Sequence, residues 1–144
     1  MTTEATADLL ALRALHDRIA LATDSGDWDA FRDCFVPEAH ADYGELGIGA
    51  IEQILDAIRE SQSRYAGTLN VVGTHRAVVS GDGATADTYV VSHHFRHAEG
   101  TAIDDEAGTH YADELVRTKE GWKISRRVAR VRFFRSTATM NLES

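Results

Sequence analysis

Apolar side chains recur every three or four residues between Thr6 and Thr23, at Leu9, Leu12, Leu15, Ile19 and Ala22. That is the spacing of an amphipathic helix with one face turned to a core. Ser25-Gly26-Asp27 interrupts it, and the Asp27 carboxylate suits the cap of a second, short helix through Trp28, Phe31, Cys34 and Phe35. Pro37, the only proline, closes this pair of helices, and Gly44 to Gly49 reads as a loop. A third helix is predicted from about Ala50 to Ser63, with Ile51, Ile54, Leu55 and Ile58 on one face. After Gly67 the period changes to two. Thr68–Ser80, Ala84–His97, Gly108–Lys119 and Trp122–Arg135 read as strands rich in valine, threonine and aromatics. Their separators are SGDG at 80–83, a longer loop near 98–107 and KEG at 119–121, and a short strand, His40–Tyr43, joins the same sheet. Helices in front and antiparallel strands behind define an α+β domain. Its strongly curved, mainly antiparallel sheet wraps the N-terminal helices and leaves a cavity at the open end.

The 144 residues suit one domain spanning 1–144, with no repeat or linker to divide it. Hydrophobic residues at 43% and charged residues at 26% exclude a disordered chain. No apolar run approaches the ~18 residues of a membrane helix. The acidic, polar start MTTEATAD lacks the basic opening of a secretory signal, so a cytoplasmic location is expected. A net charge of −8 argues against nucleic acid and anionic membranes as partners. The basic stretch KISRRVARVRFFR, from Lys123 to Arg135, is interleaved with apolar residues, as on a strand with one wet face. Cys34 is the only cysteine; it forms no internal disulfide and reads as buried filler. The tail STATMNLES either covers the cavity mouth or frays.

Several polar residues fall where a cavity wall is predicted. Asp24 ends the first helix on the side of Leu12, Ile19 and Ala20, so its carboxylate either points inward or is a solvated helix end. Alternation in NVVGTHRAVV puts Arg76 outside and His75 inside. There His75 is either a satisfied core histidine or, with a carboxylate on one nitrogen, a general base. In SHHFRH the small row Ala84, Ala86, Thr88, Val90, Ser92 marks the inner face, which places His94 inside and His93 outside. Adjacent histidines on opposite faces cannot share a metal, and no HxH with an inward carboxylate accompanies them, so no metal is expected. Tyr111 and Asp113 share a face of THYADELVR and are pocket candidates, as is Tyr43. Arg126 and Arg127 point oppositely; one anchors a carbonyl or anionic group, or both are solvated.

In order and spacing, LRALHDRIALATDSGDWDAFRDCFVPEAHADY, VVGTHRAVVSGDGATADTYVVSHH and GTHYADELVRTKEGWKISRRV resemble the SnoaL-like branch of the nuclear transport factor 2-like superfamily, along nearly the whole chain. The resemblance implies a cone-shaped α+β barrel with a deep pocket, assembled as a homodimer or homotrimer and working without metal or organic cofactor. Relatives include scytalone dehydratase, bile-acid dehydratase, hexachlorocyclohexane dehydrochlorinase and polyketide cyclases. In the eliminating relatives a helix-end aspartate and a strand histidine form a dyad, which by motif falls on Asp24 and His75. A second histidine and a tyrosine match His94 and Tyr43, a pocket arginine matches Arg127, and a pocket aromatic or polar residue matches Tyr111. Ile19 stands where several relatives carry a tyrosine or lysine that acts as an acid or binds the leaving group.

The function expected is a dehydratase-type lyase acting on a cyclic hydrophobic small molecule. Asp24 would hold one nitrogen of His75, His75 would take a proton beside a carbonyl, and Tyr43, Tyr111 or His94 would polarise that carbonyl or protonate the departing oxygen. An isomerase or polyketide-type cyclase would use the same dyad, and a non-catalytic binding or association domain would not need it.

Overall fold

The computed structural model describes residues 2–140. Helix α1 spans Thr3–Ser25; Thr2 Oγ1 caps it by accepting from the Ala5 amide at 3.0 Å, and Gly26 ends it in the left-handed conformation at φ 70°. Asp27 caps the short α2, Trp28–Asp33, by accepting from the Ala30 amide at 3.0 Å. Helix α3 spans Ile51–Gln62 and buries Ile51, Ile54, Leu55 and Ile58. The strands are β1 Phe35–Asp42, β2 Ile48–Ala50, β3 Gly67–Ser80, β4 Gly83–Ala98, β5 Thr101–Thr118 and β6 Gly121–Ala138. They form one mixed sheet in the order β2-β1-β6-β5-β4-β3. All neighbours are antiparallel except β1 with β6. The sheet is curved and unclosed, an α+β cone with β2 and β3 at its edges.

Four segments depart from the sequence reading. Phe35 is not helical but opens β1, which also takes up Pro37 and most of the short strand expected at His40–Tyr43. Proline is tolerated there because the pairing with β6 is irregular between Phe35 and His40, where no ladder hydrogen bond is lost. The loop expected at 44–49 contains a 3₁₀ turn, Gly44–Leu46, and the start of edge strand β2. The loop expected at 98–107 is almost all strand. Glu99 (φ 51°) and Gly100 (φ 79°) alone make the turn, both left-handed as a two-residue hairpin requires. Of the C-terminal tail, Ser136–Ala138 continue β6, while residues 141–144 lie outside the described residues.

The core fills one end of the cone. Leu12, Leu15 and Ile19 from α1 pack with Phe31, Phe35 and the α3 isoleucines onto Ala84, Ala86, Leu115, Trp122 and Ile124 of the sheet. Outside this plug, Arg117 grips Asp8 through two bonds of 2.7 and 2.9 Å, and Trp122 Nε1 donates to the same carboxylate at 3.1 Å. The start of α1 is thereby tied to the β5–β6 hairpin. Among the described residues, no helix is long and apolar enough to cross a membrane.

Leu15 is 1% exposed, so Leu15→Ala should cost about 2–5 kcal/mol in urea unfolding, the cost of a core cavity. The bonds from Arg117 and Trp122 lower the Asp8 carboxyl below its ordinary 3.8 against the opposing effect of burial. A depressed carboxyl stabilises the fold above its unfolded value and ceases to as pH falls through its folded value. The stability gap between wild type and Asp8→Asn should therefore be full at pH 7 and close below about pH 4; urea midpoints across that range check it.

Candidate active site

Beyond the plug, α1, α3 and strands β3–β6 enclose a cavity of about 220 Å³. Ile19, Ala20, Ile58, Val72, Val90 and Ala129 give it an apolar belt. At the end next to the plug stand His16, Tyr43, Tyr111 and Arg127, and towards the other end stand Asn70, Ser92 and His94.

Arg127 organises the plug end. It is 3% exposed; its Nε and Nη2 donate to the two oxygens of Asp113 at 2.8 and 2.9 Å, and its Nη1 donates to Tyr43 Oη at 3.2 Å. Its guanidinium lies 4.2 Å from the centre of the Tyr111 ring. Burial alone would raise the Asp113 carboxyl, but Arg127 and His16 outweigh it and keep it low. Burial disfavours the Arg127 cation, yet Asp113 more than compensates, so the pair stays ionised. Burial also raises both phenols, Tyr43 and Tyr111, so both remain protonated donors. The Tyr43 oxygen already accepts from Arg127, which leaves its own hydrogen for a ligand. Tyr111 has no hydrogen-bond partner among the described residues and lines the same wall.

His16, which the sequence reading passed over, completes this cluster. Its Nε2 donates to Asp113 Oδ2 at 2.8 Å, while its Nδ1 lies 2.9 Å from the Leu12 carbonyl and 3.1 Å from His75 Nε2. With a hydrogen, Nδ1 donates to Leu12; without one, it accepts from His75. Both nitrogens are occupied either way, so His16 gives the cavity its ring and no free base. His75 sits behind His16 and does not line the cavity. Burial first, then the neighbouring His16 and Arg13, lowers the His75 imidazole to about 4, leaving it neutral at pH 7.

The expected Asp24–His75 dyad does not form. Asp24 accepts from Thr68 Oγ1 at 2.8 Å, from the Asn70 amide N–H at 3.0 Å and from Asn70 Nδ2 at 2.7 Å. The helix explains the separation, since Asp24 lies eight residues beyond His16, about 12 Å along the axis. β3 runs alongside it and meets Asp24 at residues 68–70 and His16 at residue 75. The strand residue facing Asp24 is thus an amide, whose Oδ1 accepts from Ser92 Oγ at 2.6 Å and which cannot take up a proton. Asp113, expected to touch substrate, is 3% exposed and stands behind Arg127 as its anchor. Tyr43, Tyr111, Arg127, His94 and Ile19 line the cavity.

His94 faces the cavity with its tautomer set. A backbone carbonyl only accepts, so Nδ1 carries the hydrogen that binds the Asp105 oxygen at 2.8 Å. Nε2 of the neutral ring keeps its lone pair and has no partner among the described residues. His93 points to the opposite face, where its Nδ1 meets Asp104 Oδ2 at 2.6 Å.

Removing Asp113 leaves a buried guanidinium unpaired. Asp113→Ala should cost about 3–5 kcal/mol in chemical denaturation, well above the loss in Asp24→Ala at its partly exposed helix end.

Solved structures with the same architecture span nearly the whole chain. A scytalone dehydratase candidate from Novosphingobium aromaticivorans superposes with a TM-score of 0.81 at 17% identity, covering 99% of this chain and 94% of its own. The hexachlorocyclohexane dehydrochlorinase LinA type 3 from Novosphingobium barchaimii gives 0.81 at 17% identity, with 97% of each chain covered. An NTF2-like protein with a cystatin-like fold, also from N. aromaticivorans, gives 0.74 at 22% identity, covering 90% and 84%. At these identities the likeness is one of fold. No curated protein sequence matches the chain. Residues 4–128 match the SnoaL-like domain model, and the chain therefore belongs to the SnoaL-like family within the NTF2-like fold.

Proposed function

We propose that the chain is a dehydratase-type lyase that works by side-chain acid/base chemistry on a neutral, hydrophobic, oxygenated ring compound. The observation that carries this reading is the pairing of functions around one apolar cavity: two phenolic donors beside Arg127 at one end, and an imidazole lone pair at the other. Thr88 pairs with Tyr111 and His94 with Asp105, so the two poles are six residues apart along β4. That is about 20 Å of strand between their backbones, while the side chains of both poles line one cavity of about 220 Å³. A ligand touching both poles is therefore closer to two fused rings than to one.

The chemistry follows from the poles. His94 Nε2 takes a proton from a ring carbon, and the electron pair passes through the conjugated ring system to a carbonyl oxygen at the other pole. Tyr43 and Tyr111 donate hydrogen bonds to that oxygen as negative charge develops on it, with Arg127 strengthening the Tyr43 bond. The pair then returns from that oxygen, re-forming the carbonyl and making a carbon–carbon double bond as the carbon–oxygen bond to the hydroxyl breaks. The His94 imidazolium gives its proton to the departing hydroxyl, and water leaves. Return of the proton to a different carbon makes the same site an isomerase. A non-catalytic binding domain is the second reading, favoured by the amide that faces Asp24 in place of an imidazole. Structural relatives carry dehydratase and dehydrochlorinase names, which agrees with elimination.

Hydroxylated fused-ring ketones in D₂O, followed by proton NMR and mass spectrometry, separate these readings. Elimination gives loss of one water, isomerisation gives a product that keeps its oxygen and gains mass only through exchanged deuterium, and a binding domain gives neither. His94→Ala should lower turnover about 10²–10⁴-fold and Tyr43→Phe about 10²-fold, whereas His75→Ala should change it far less. Full turnover in His94→Ala would sink the mechanism.

A further inference from the structure

We infer that His93, Asp104 and Glu106 form a binding site for a divalent transition ion of the Zn²⁺ class, on the outer face of the sheet and separate from the cavity. His93 and Glu106 are directly opposed in the β4–β5 ladder, and Asp104 lies two residues along β5 on the same face. One ligand atom from each residue falls within 4.8 Å of the others. The three side chains are only 25%, 16% and 16% exposed, so the strand pair presents them already partly desolvated.

Two features point to a cation. Asp104 uses Oδ2 on His93 Nδ1 at 2.6 Å, but its Oδ1 is inaccessible to water and has no hydrogen-bond partner. A buried anionic oxygen left without a partner is costly, and a bound metal ion supplies the missing charge. Glu106 accepts from Arg135 Nε at 3.1 Å and Nη2 at 3.3 Å, yet the Arg135 side chain is 65% exposed. That guanidinium is a displaceable substitute for a metal: it can swing into solvent and free both oxygens.

The donor set fits the ion. One imidazole and two carboxylates suit Zn²⁺, Mn²⁺ or Fe²⁺, and three protein ligands leave a fourth position for water. Bonds of about 2.0–2.2 Å put tetrahedral ligand atoms roughly 3.3 Å apart, a closure that side-chain rotation alone supplies. Two carboxylates then balance the two positive charges. The neighbouring histidine, His94, takes no part, because it points through the sheet into the cavity.

Calorimetric titration of the full, tag-free chain with Zn²⁺, paralleled by the visible absorption of Co²⁺, tests the site. Saturable binding of one ion per chain is expected. His93→Ala and Asp104→Asn should each weaken it at least about tenfold, and Arg135→Ala should tighten it by removing the competitor for Glu106. Because Arg135 is a surface residue, that variant keeps the test decisive even if a ligand variant fails to fold. No saturable binding, binding unchanged in His93→Ala, or no tightening in Arg135→Ala would each overturn the site. So would an equal loss in His110→Ala, whose histidine pairs with Asp87 elsewhere on the outer face.

Discussion

The buried pair between Arg127 and Asp113 is the constraint on which the plug end of the cavity is built. Neither group could sit in the interior alone, because an unpaired ion there costs several kcal/mol. Held together by two bonds, they become a rigid plate. Tyr43 leans on it from the loop after β1, Tyr111 stacks on it from β5, and His16 reaches it from α1. Three separate parts of the chain thus meet at one ion pair, and the wall they make is set by hydrogen bonds rather than by packing alone.

Much of the architecture was legible in the sequence because its periods are strong. The 3–4 spacing through Leu12, Leu15 and Ile19 and the alternation through Ala84, Ala86 and Thr88 each carry their own geometry. What escaped were places where local polarity and tertiary pairing disagree. Asp104-Asp105-Glu106 reads as a loop, yet each acid has a cationic or imidazole partner: His93 for Asp104, Arg96 for Asp105 and Arg135 for Glu106. That makes a charged strand tenable. β2 is three residues long and carries no period to detect.

The site was read less well than the fold, and the cause is again geometric. The β3–β4 register shifts between Val72 and His75, so simple alternation fails there. Val72 and His75 both pair with inward residues, Val90 and Thr88, although they are three apart in sequence. Unbroken alternation from His75 would turn Val71 inward as well, whereas Val71 stands 48% exposed. His16 left a signal that went unread: a polar residue four after Leu12 and three before Ile19, on the apolar face of its helix. Such a residue must be satisfied in the interior, and Asp113 satisfies it. Asn70 left none, since its importance comes only from meeting Asp24.

Arg127 has one more consequence, for how a ligand feels the solvent. Its charge is cancelled by Asp113 within bonding distance, so the plug end projects almost no net field into the chamber. A carboxylated molecule would gain little attraction there and would forfeit its hydration, so the chamber favours uncharged guests. Their association should then be nearly indifferent to ionic strength, because mobile ions can weaken only a field that reaches them.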